Sequence, residues 1–285
     1  MSRIAYVNGR YVRHAEAGVH IEDRGYQFSD GVYEVCGVRG GMLMDEELHL
    51  GRLQRSLSEL RIPMPMSLAA LRIVLREVVK RNEVANGMIY CQVTRGVAPR
   101  DHPFPPAGIK PAIVITAKRL NEARVAAAVE KGVAVMTMPD QRWARRDIKS
   151  VSLLANILAK QTAREAGAYE AWLVDPDGFI TEGSSTNAWI VDKDGRVVTR
   201  PLSADILGGI TRHVLLEAAA REGIEIVERP FTVDEARTAR EAFVSASTAI
   251  IIPVIRVDDM VIGNGAPGST TMRLRRAYAA SGVLS

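Results

Sequence analysis

Two short apolar runs open the chain on either side of Asn8-Gly9, "IAYVNGRYV", and this dipeptide suits a type I′ hairpin turn because both central residues need positive φ. Next, "GVYEVCGVRGGMLM" alternates through Gly40-Gly41 and predicts a second hairpin. Apolar positions recurring at helical spacing then predict helices over about 46–61 and 67–82, with "IPMPM" breaking the chain between them. The runs "GMIYCQVTRG" and "PAIVITAKR" read as strands flanking the proline-rich loop "VAPRDHPFPPAGIK". Strands, then helices, then strands make an α+β unit.

The pattern starts over near Val125. "GVAVMTMP" predicts a strand, 139–150 a loop, and 152–167 an amphipathic helix ended by Gly167. "YEAWLVD" and "FITEG" flank a Pro-Asp-Gly turn, and "NAWIVD" and "RVVTR" flank Lys-Asp-Gly. A helix, "TRHVLLEAAAREG", follows, then short strands around 224–228, 242–245 and 251–257. These elements predict an α/β second part. We place the boundary within 119–125, giving domains 1–120 and 121–285.

Composition narrows the classes. With 47% hydrophobic and 25% charged residues, the 285-residue chain is globular, and no low-complexity tract points to disorder. No apolar run nears the roughly 20 residues of a membrane span, and the N-terminus lacks a signal h-region, so a membrane is not expected and the expected compartment is the cytoplasm. The net charge of +4 is spread along the chain and does not suggest nucleic-acid binding. Cys36 and Cys91 lie in strand-like runs without a C-x-x-C or paired His, and read as buried reduced thiols, with no metal site. Thirty of the 37 basic residues are Arg, so lysine is scarce here.

One motif misleads. "GNGAPG" at 263–268 fits G-x-G-x-x-G, but only 17 residues follow it, too few for the strand and ribose-binding acid of a dinucleotide site, so a surface turn is expected. Lys149 is different. It precedes "SVSLLANILA", nearly uncharged, and a lysine in buried surroundings must be paired, neutral or covalently used. A desolvated amine attacks carbonyls, which points to a Schiff base. An aldehyde cofactor of the pyridoxal phosphate type needs an acid facing its ring nitrogen and a cradle for its phosphate. Glu182 in "ITEGSSTN" ends a strand, and "LGGITR" sets Gly208-Gly209 before a helix N-terminus suited to a dianion. "SASTA" at 245–249 adds hydroxyls and amides, and Arg52 is a candidate counter-charge.

Together "RGYQFSDGVYEV", "QVTRGVAPRDHPFP", "RRDIKSVSLLANILAKQTA", "YEAWLVDPDGFITEGSSTNAWIV", "LGGITR" and "FVSASTAIIIPV" resemble, in order and over nearly the whole chain, the class IV (fold type IV) pyridoxal-phosphate aminotransferases, nearest to their D-amino acid branch. The resemblance implies an N-terminal α+β domain and a C-terminal pseudo-barrel α/β domain. It implies that Lys149 holds the cofactor and moves the proton at the substrate Cα, and that Glu182 faces the pyridine nitrogen. Arg52, the backbone of Ile210 and Thr211, and Ser247 with Thr248 would hold the phosphate, with Leu207 packed on the ring. Tyr33, Arg100 and His102 would grip the substrate α-carboxylate across a homodimer interface.

"PRDH" makes sense physically, since an arginine fork binds a carboxylate bidentately, an imidazole adds a donor, and the prolines at 99, 103, 105 and 106 stiffen the loop. Branched-chain L-aminotransferases usually lack this Arg-x-His. The implied reaction is ping-pong transfer between a D-amino acid, typically D-alanine, and 2-oxoglutarate. Its rivals are an (R)-selective amine transaminase and, further off, a branched-chain L-amino acid aminotransferase. The sequence departs from the D-amino acid branch at Ala246, where a hydroxyl is common, at Ile250, often acidic, and at Ser29, often Gly.

Overall fold

The computed structural model describes residues 3–281. They cluster into two compact units: one holds the chain up to Leu120 together with Ile148–Ser152, the other holds Asn121–Asp147 and the chain from Leu153 onward.

The first unit runs β1 (Ile4–Val7), β2 (Arg10–Arg13), α1 (Arg24–Phe28), β3 (Gly31–Arg39), β4 (Met42–Leu43), α2 (Glu46–Glu59), α3 (Leu68–Arg81), β5 (Gly87–Thr94) and β6 (Ala112–Arg119). Its six strands form one antiparallel sheet in the order β2-β1-β6-β5-β3-β4. Both predicted hairpins turn through residues with positive φ, Asn8-Gly9 and Gly40-Gly41. Leu50, Leu53 and Leu57 of α2 and Leu71, Leu75 and Val78 of α3 bury the apolar stripe that the sequence spacing foretold, against Val32, Ile89, Val93 and Ile115 of the sheet. Ser67 caps α3 through the amide of Ala70.

β4 pairs only with the far end of β3, at Val38 and Arg39. The opposite end of that edge is taken by the segment around Lys149: Tyr33 N–H donates to the Lys149 carbonyl at 3.0 Å and Val151 N–H to the Gly31 carbonyl at 3.0 Å, while Ile148 enters the first core. A lysine distant in sequence is thereby fixed beside β3.

The second unit runs α4 (Glu122–Lys131), β7 (Val133–Pro139), α5 (Leu154–Glu165), β8 (Glu170–Val174), β9 (Ile180–Gly183), β10 (Asn187–Val191), β11 (Val197–Thr199), α6 (Ile210–Arg221), β12 (Ile226–Glu228), α7 (Val233–Arg237), β13 (Glu241–Ala246), β14 (Ile250–Val257), β15 (Met260–Val261) and α8 (Ser269–Ser281). The strands are ordered β12-β11-β10-β13-β14-β7-β8-β9, with β7 parallel to β14 and β8 and the other steps mostly antiparallel. β9 also lies against β10, so the mixed sheet curls into the expected pseudo-barrel without a β9–β10 ladder. Trp172 and Phe231, edge to face at 6.3 Å, sit in its core.

Two expectations need correction or addition, and a third, the turn at "GNGAPG", holds. The helix α4 was not foreseen, although Asn121 caps it through Arg124 N–H. The apolar run after Lys149 is not buried: Leu154, Ile157 and Leu158 are 71%, 60% and 59% exposed, and Lys149 itself is only half-buried. Helical spacing put these side chains on one face, but nothing in this chain's own unit covers that face. "GNGAPG" forms a turn before α8, with positive φ at Gly263 and Gly265.

Candidate active site

Strand alternation divides β3 into two faces. Glu34 and Cys36 point into the core under α2, and a carboxylate there must find donors. Two come from α2, one turn apart. Arg52 forks onto Glu34 through Nε at 2.8 Å and Nη2 at 2.8 Å, and His49 Nδ1 lies 2.8 Å from Oε2. Burial alone would raise the Glu34 carboxyl, but the Arg52 guanidinium and the His49 hydrogen bond hold it down at about 2. Burial keeps His49 below its usual range, so the neutral ring donates its Nδ1 proton to Glu34.

Glu34 and His49 were invisible in the sequence, because an alternating strand predicts only an inward side chain and not its partner. The sign of their effect on stability is definite. A carboxyl lowered from 4.5 to about 2 stabilises the fold above pH 4.5 and loses that contribution as pH falls toward about 2. Glu34→Gln should therefore cost roughly 3 kcal/mol near neutrality and flatten the acid limb between those values. Urea unfolding at a series of pH values reads both; an unchanged acid limb would rule the network out as its source.

On the other face of β3, Tyr33 stacks on Tyr90 at 5.6 Å, and Lys149 Nζ sits 4.4 Å from the centroid of the Tyr33 ring. The Lys149 amide lies 3.3 Å from Ser56 Oγ of α2. No ion pair to Lys149 occurs among the described residues; its backbone is held by Ser56 and β3, and its amine faces the Tyr33 ring. Arg100 and His102 lie elsewhere, exposed on the loop after β5, both against Phe28, at 4.9 Å and 5.6 Å. No hydrogen bond or ring contact joins Tyr33 to either of them among the described residues.

In the second unit Glu182 and Leu207 come together. Glu182, at the end of β9, is buried and accepts from Arg142 Nη1 at 2.5 Å, Leu207 N–H at 3.1 Å and Asn187 Nδ2 at 3.0 Å. Asn187 also donates to the Leu207 carbonyl at 3.0 Å, which ties β10 to the loop before α6. Burial raises the Glu182 carboxyl, and Arg142 opposes that rise. Arg142 is itself forked onto Asp140 through Nε at 3.0 Å and Nη2 at 2.8 Å. Nothing in the sequence marked Arg142 among so many arginines.

The small hydroxyls after Glu182 have an occupation of their own. Ser184, Ser185 and Thr186 all donate to Glu170, a fully buried carboxylate at the start of β8, which also receives Lys160 Nζ at 3.1 Å. Ile210 and Thr211 begin α6, whose N-cap is Gly209 and whose cap makes no side-chain hydrogen bond. Only glycine fits at 209, since a Cβ would run into Asn187 Oδ1. Ser247 and Thr248 form the turn between β13 and β14, and Arg275 of α8 donates to the Ala249 and Ile251 carbonyls beside it, both at 2.6 Å.

These features fit a phosphate-bearing cofactor. Thr211 Oγ1 is buried and lacks a hydrogen-bond partner among the described residues, at a helix start whose first amides have no acceptor within the helix. A dianion there satisfies both. Glu182, at the end of a strand beside the loop before α6, is an acid already placed in a low-dielectric setting beside a fixed cation.

Known proteins agree with this chemistry. A D-alanine aminotransferase of Bacillus licheniformis is 42% identical over 270 residues, covering 95% of this chain and 94% of the relative, and one of Staphylococcus haemolyticus is 39% identical over 273 residues, covering 96% and 95%. Among solved structures, a branched-chain amino acid aminotransferase of Escherichia coli aligns with a TM-score of 0.89 at 27% identity, over 98% of this chain and 94% of that one. The family profile "Amino-transferase class IV" matches residues 31–257, a span that begins at the strand holding Tyr33 and Glu34 and takes in Lys149, Glu182 and the α6 N-terminus. By fold and by sequence, the chain belongs to the class IV aminotransferases.

Proposed function

We propose that this aminotransferase transfers the amino group of a D-amino acid, typically D-alanine, to 2-oxoglutarate, giving pyruvate and D-glutamate in two half-reactions. The observation that carries the substrate reading is the pair Arg100 and His102 on a proline-stiffened loop, because a guanidinium fork and an imidazole two residues on together recognise an α-carboxylate. Curated relatives of the same length support it. The solved neighbours include branched-chain enzymes, but a shared fold carries many specificities, and these neighbours share about a quarter of their residues with this chain.

Pyridoxal phosphate, when bound, supplies an aldehyde that takes up amino groups and a ring that accepts the electron pair left at Cα. The chain's residues do the rest. Lys149 Nζ holds the cofactor carbon and then moves the proton at the substrate Cα. Glu182 keeps the ring nitrogen protonated, with Leu207 against the ring. Arg52, the amides of Ile210 and Thr211, and Ser247 with Thr248 hold the phosphate. Tyr33, Arg100 and His102 orient the carboxylate, so that the Cα–H bond of the D-enantiomer is the one presented to Lys149.

We also read residues 1–120 and 121–285 as the two domains, and the active form as a homodimer in the cytoplasm. The exposed Arg100 and His102, which have no hydrogen bond or ring contact to Tyr33 among the described residues, support a grip shared between subunits. The uncovered Leu154, Ile157 and Leu158 are side chains a second copy would shield. Two unpaired, buried thiols suit a reducing compartment.

A panel of D- and L-amino acids with 2-oxoglutarate tests the substrate. D-alanine should turn over at least about a hundredfold faster than L-leucine, a margin expected when the reacting bond must face one base. Faster turnover of L-leucine would refute the reading, and (R)-1-phenylethylamine outpacing D-alanine would favour an amine transaminase.

A further inference from the structure

The loop that carries Arg100 and His102 is exposed, yet its backbone is held from below by one buried residue. Arg24, 3% exposed at the start of α1, donates Nη1 to the Asp101 carbonyl at 2.6 Å and Nη2 to the His102 carbonyl at 3.3 Å. Its own backbone N–H donates to the Gly96 carbonyl at 2.9 Å, at the root of the same loop. The guanidinium is aimed by Asp30, which accepts Arg24 Nε at 2.8 Å.

Asp30 also accepts Arg95 Nε at 2.7 Å and Nη2 at 2.9 Å, and Arg95 donates onward to the Leu60 and Arg61 carbonyls. A buried arginine with five donors in a fixed fork is costly unless its directions are used, and Arg24 spans two successive carbonyls, that of Asp101 between the gripping residues and that of His102 itself. The Phe28 ring completes the arrangement, with Arg24 at 4.8 Å, Arg100 at 4.9 Å and the His102 ring at 5.6 Å. The α1 start can lie this close because Gly25 has no Cβ to strike Thr94.

We propose that Arg24 is a positioning residue for substrate carboxylate binding: it clamps the Asp101 and His102 carbonyls, and with Phe28 it sets where Arg100 and His102 point. The inference rests on the reading of those two residues as the carboxylate grip. Arg24 touches neither substrate nor cofactor in this role. It acts through the loop, and its effect falls on substrates in proportion to their dependence on that grip.

The test uses the cofactor-loaded enzyme and four forms: wild type, Arg24→Lys, Arg100→Ala and the double variant. Lysine at 24 keeps the charge facing Asp30 and loses the fork. Arg24→Lys should raise KM for both D-alanine and 2-oxoglutarate about tenfold or more, with kcat within about threefold, the loss expected when charge-assisted hydrogen bonds that hold a binding group are removed. In the Arg100→Ala background the same change should add less than about twofold, since the two residues then act on one interaction.

Hydrogen exchange of the backbone amides over 97–108 should quicken in Arg24→Lys, a readout independent of turnover. Phe28→Leu, which keeps an apolar side chain and removes the ring, should raise the same KM values to a smaller degree and serves if the lysine variant does not fold. Unchanged loop exchange, fully additive KM effects, or a fall in kcat at constant KM would each overturn the proposal. Arg100→Ala with unchanged KM would overturn the grip reading instead, and loop exchange would still decide whether Arg24 clamps the loop.

Discussion

Lys149→Ala should abolish transamination with every substrate, lowering kcat by at least about a thousandfold, because both roles proposed for Lys149, the covalent hold on the cofactor and the base at Cα, go together. The structure makes this a chemical loss with little structural component. The segment is anchored by backbone bonds from Tyr33 and Val151, and the Lys149 side chain is half-buried over the Tyr33 ring with no carboxylate paired to it among the described residues. Removing it strips one cation–π contact of about 0.5–1 kcal/mol and leaves the fold otherwise intact. Thermal unfolding should shift by a few degrees at most, while the visible absorption of lysine-bound cofactor disappears. A variant that keeps more than a few per cent of wild-type turnover would show that another amine does the work; with seven lysines in the chain, each alternative can be tested singly.

Much of this fold was legible because its signals are local. Asn8-Gly9 and Gly40-Gly41 can take positive φ cheaply, so both hairpins follow from four residues. The spacing of Leu50, Leu53 and Leu57 gives α2 its buried stripe. Lys149, Glu182 and "GGIT" drew their proposed roles from a different signal, since they occur in a set and an order that one chemistry requires.

Partners across elements were not legible. Glu34, Arg142, Arg24 and Arg275 each do their work through a contact whose other end lies well away in sequence, from 15 residues for His49 on Glu34 to 78 for Arg24 on His102. In a chain where 30 of 37 basic residues are arginine, no arginine stands out by composition. The uncharged run after Lys149 was misread for the opposite reason. Apolar periodicity says that Leu154, Ile157 and Leu158 share a face, but whether this chain or another covers it is a tertiary fact.

Glu182 and Arg142 yield the second large effect, and it separates charge from shape. Glu182→Gln keeps the volume and the acceptor for Leu207 N–H and removes the negative charge. It should lower kcat by about a hundred- to a thousandfold, the usual cost of deleting one fixed electrostatic partner at a reacting centre. Stability should fall by only about 1–3 kcal/mol, because Arg142 keeps its fork on Asp140 and is not left unpaired. Arg142→Met works in the opposite sense on the same carboxyl. Burial raises the Glu182 pKa and Arg142 restrains it, so removing the cation raises it further. The proton then stays on Glu182 to higher pH, and a protonated Glu182 cannot hold a positive ring nitrogen. The acid limb of the kcat profile should therefore move to higher pH in Arg142→Met and vanish in Glu182→Gln, whose residual activity has no carboxyl left to titrate. An acid limb that stays in place in both variants would assign it to a different group and remove Glu182 from the ring nitrogen.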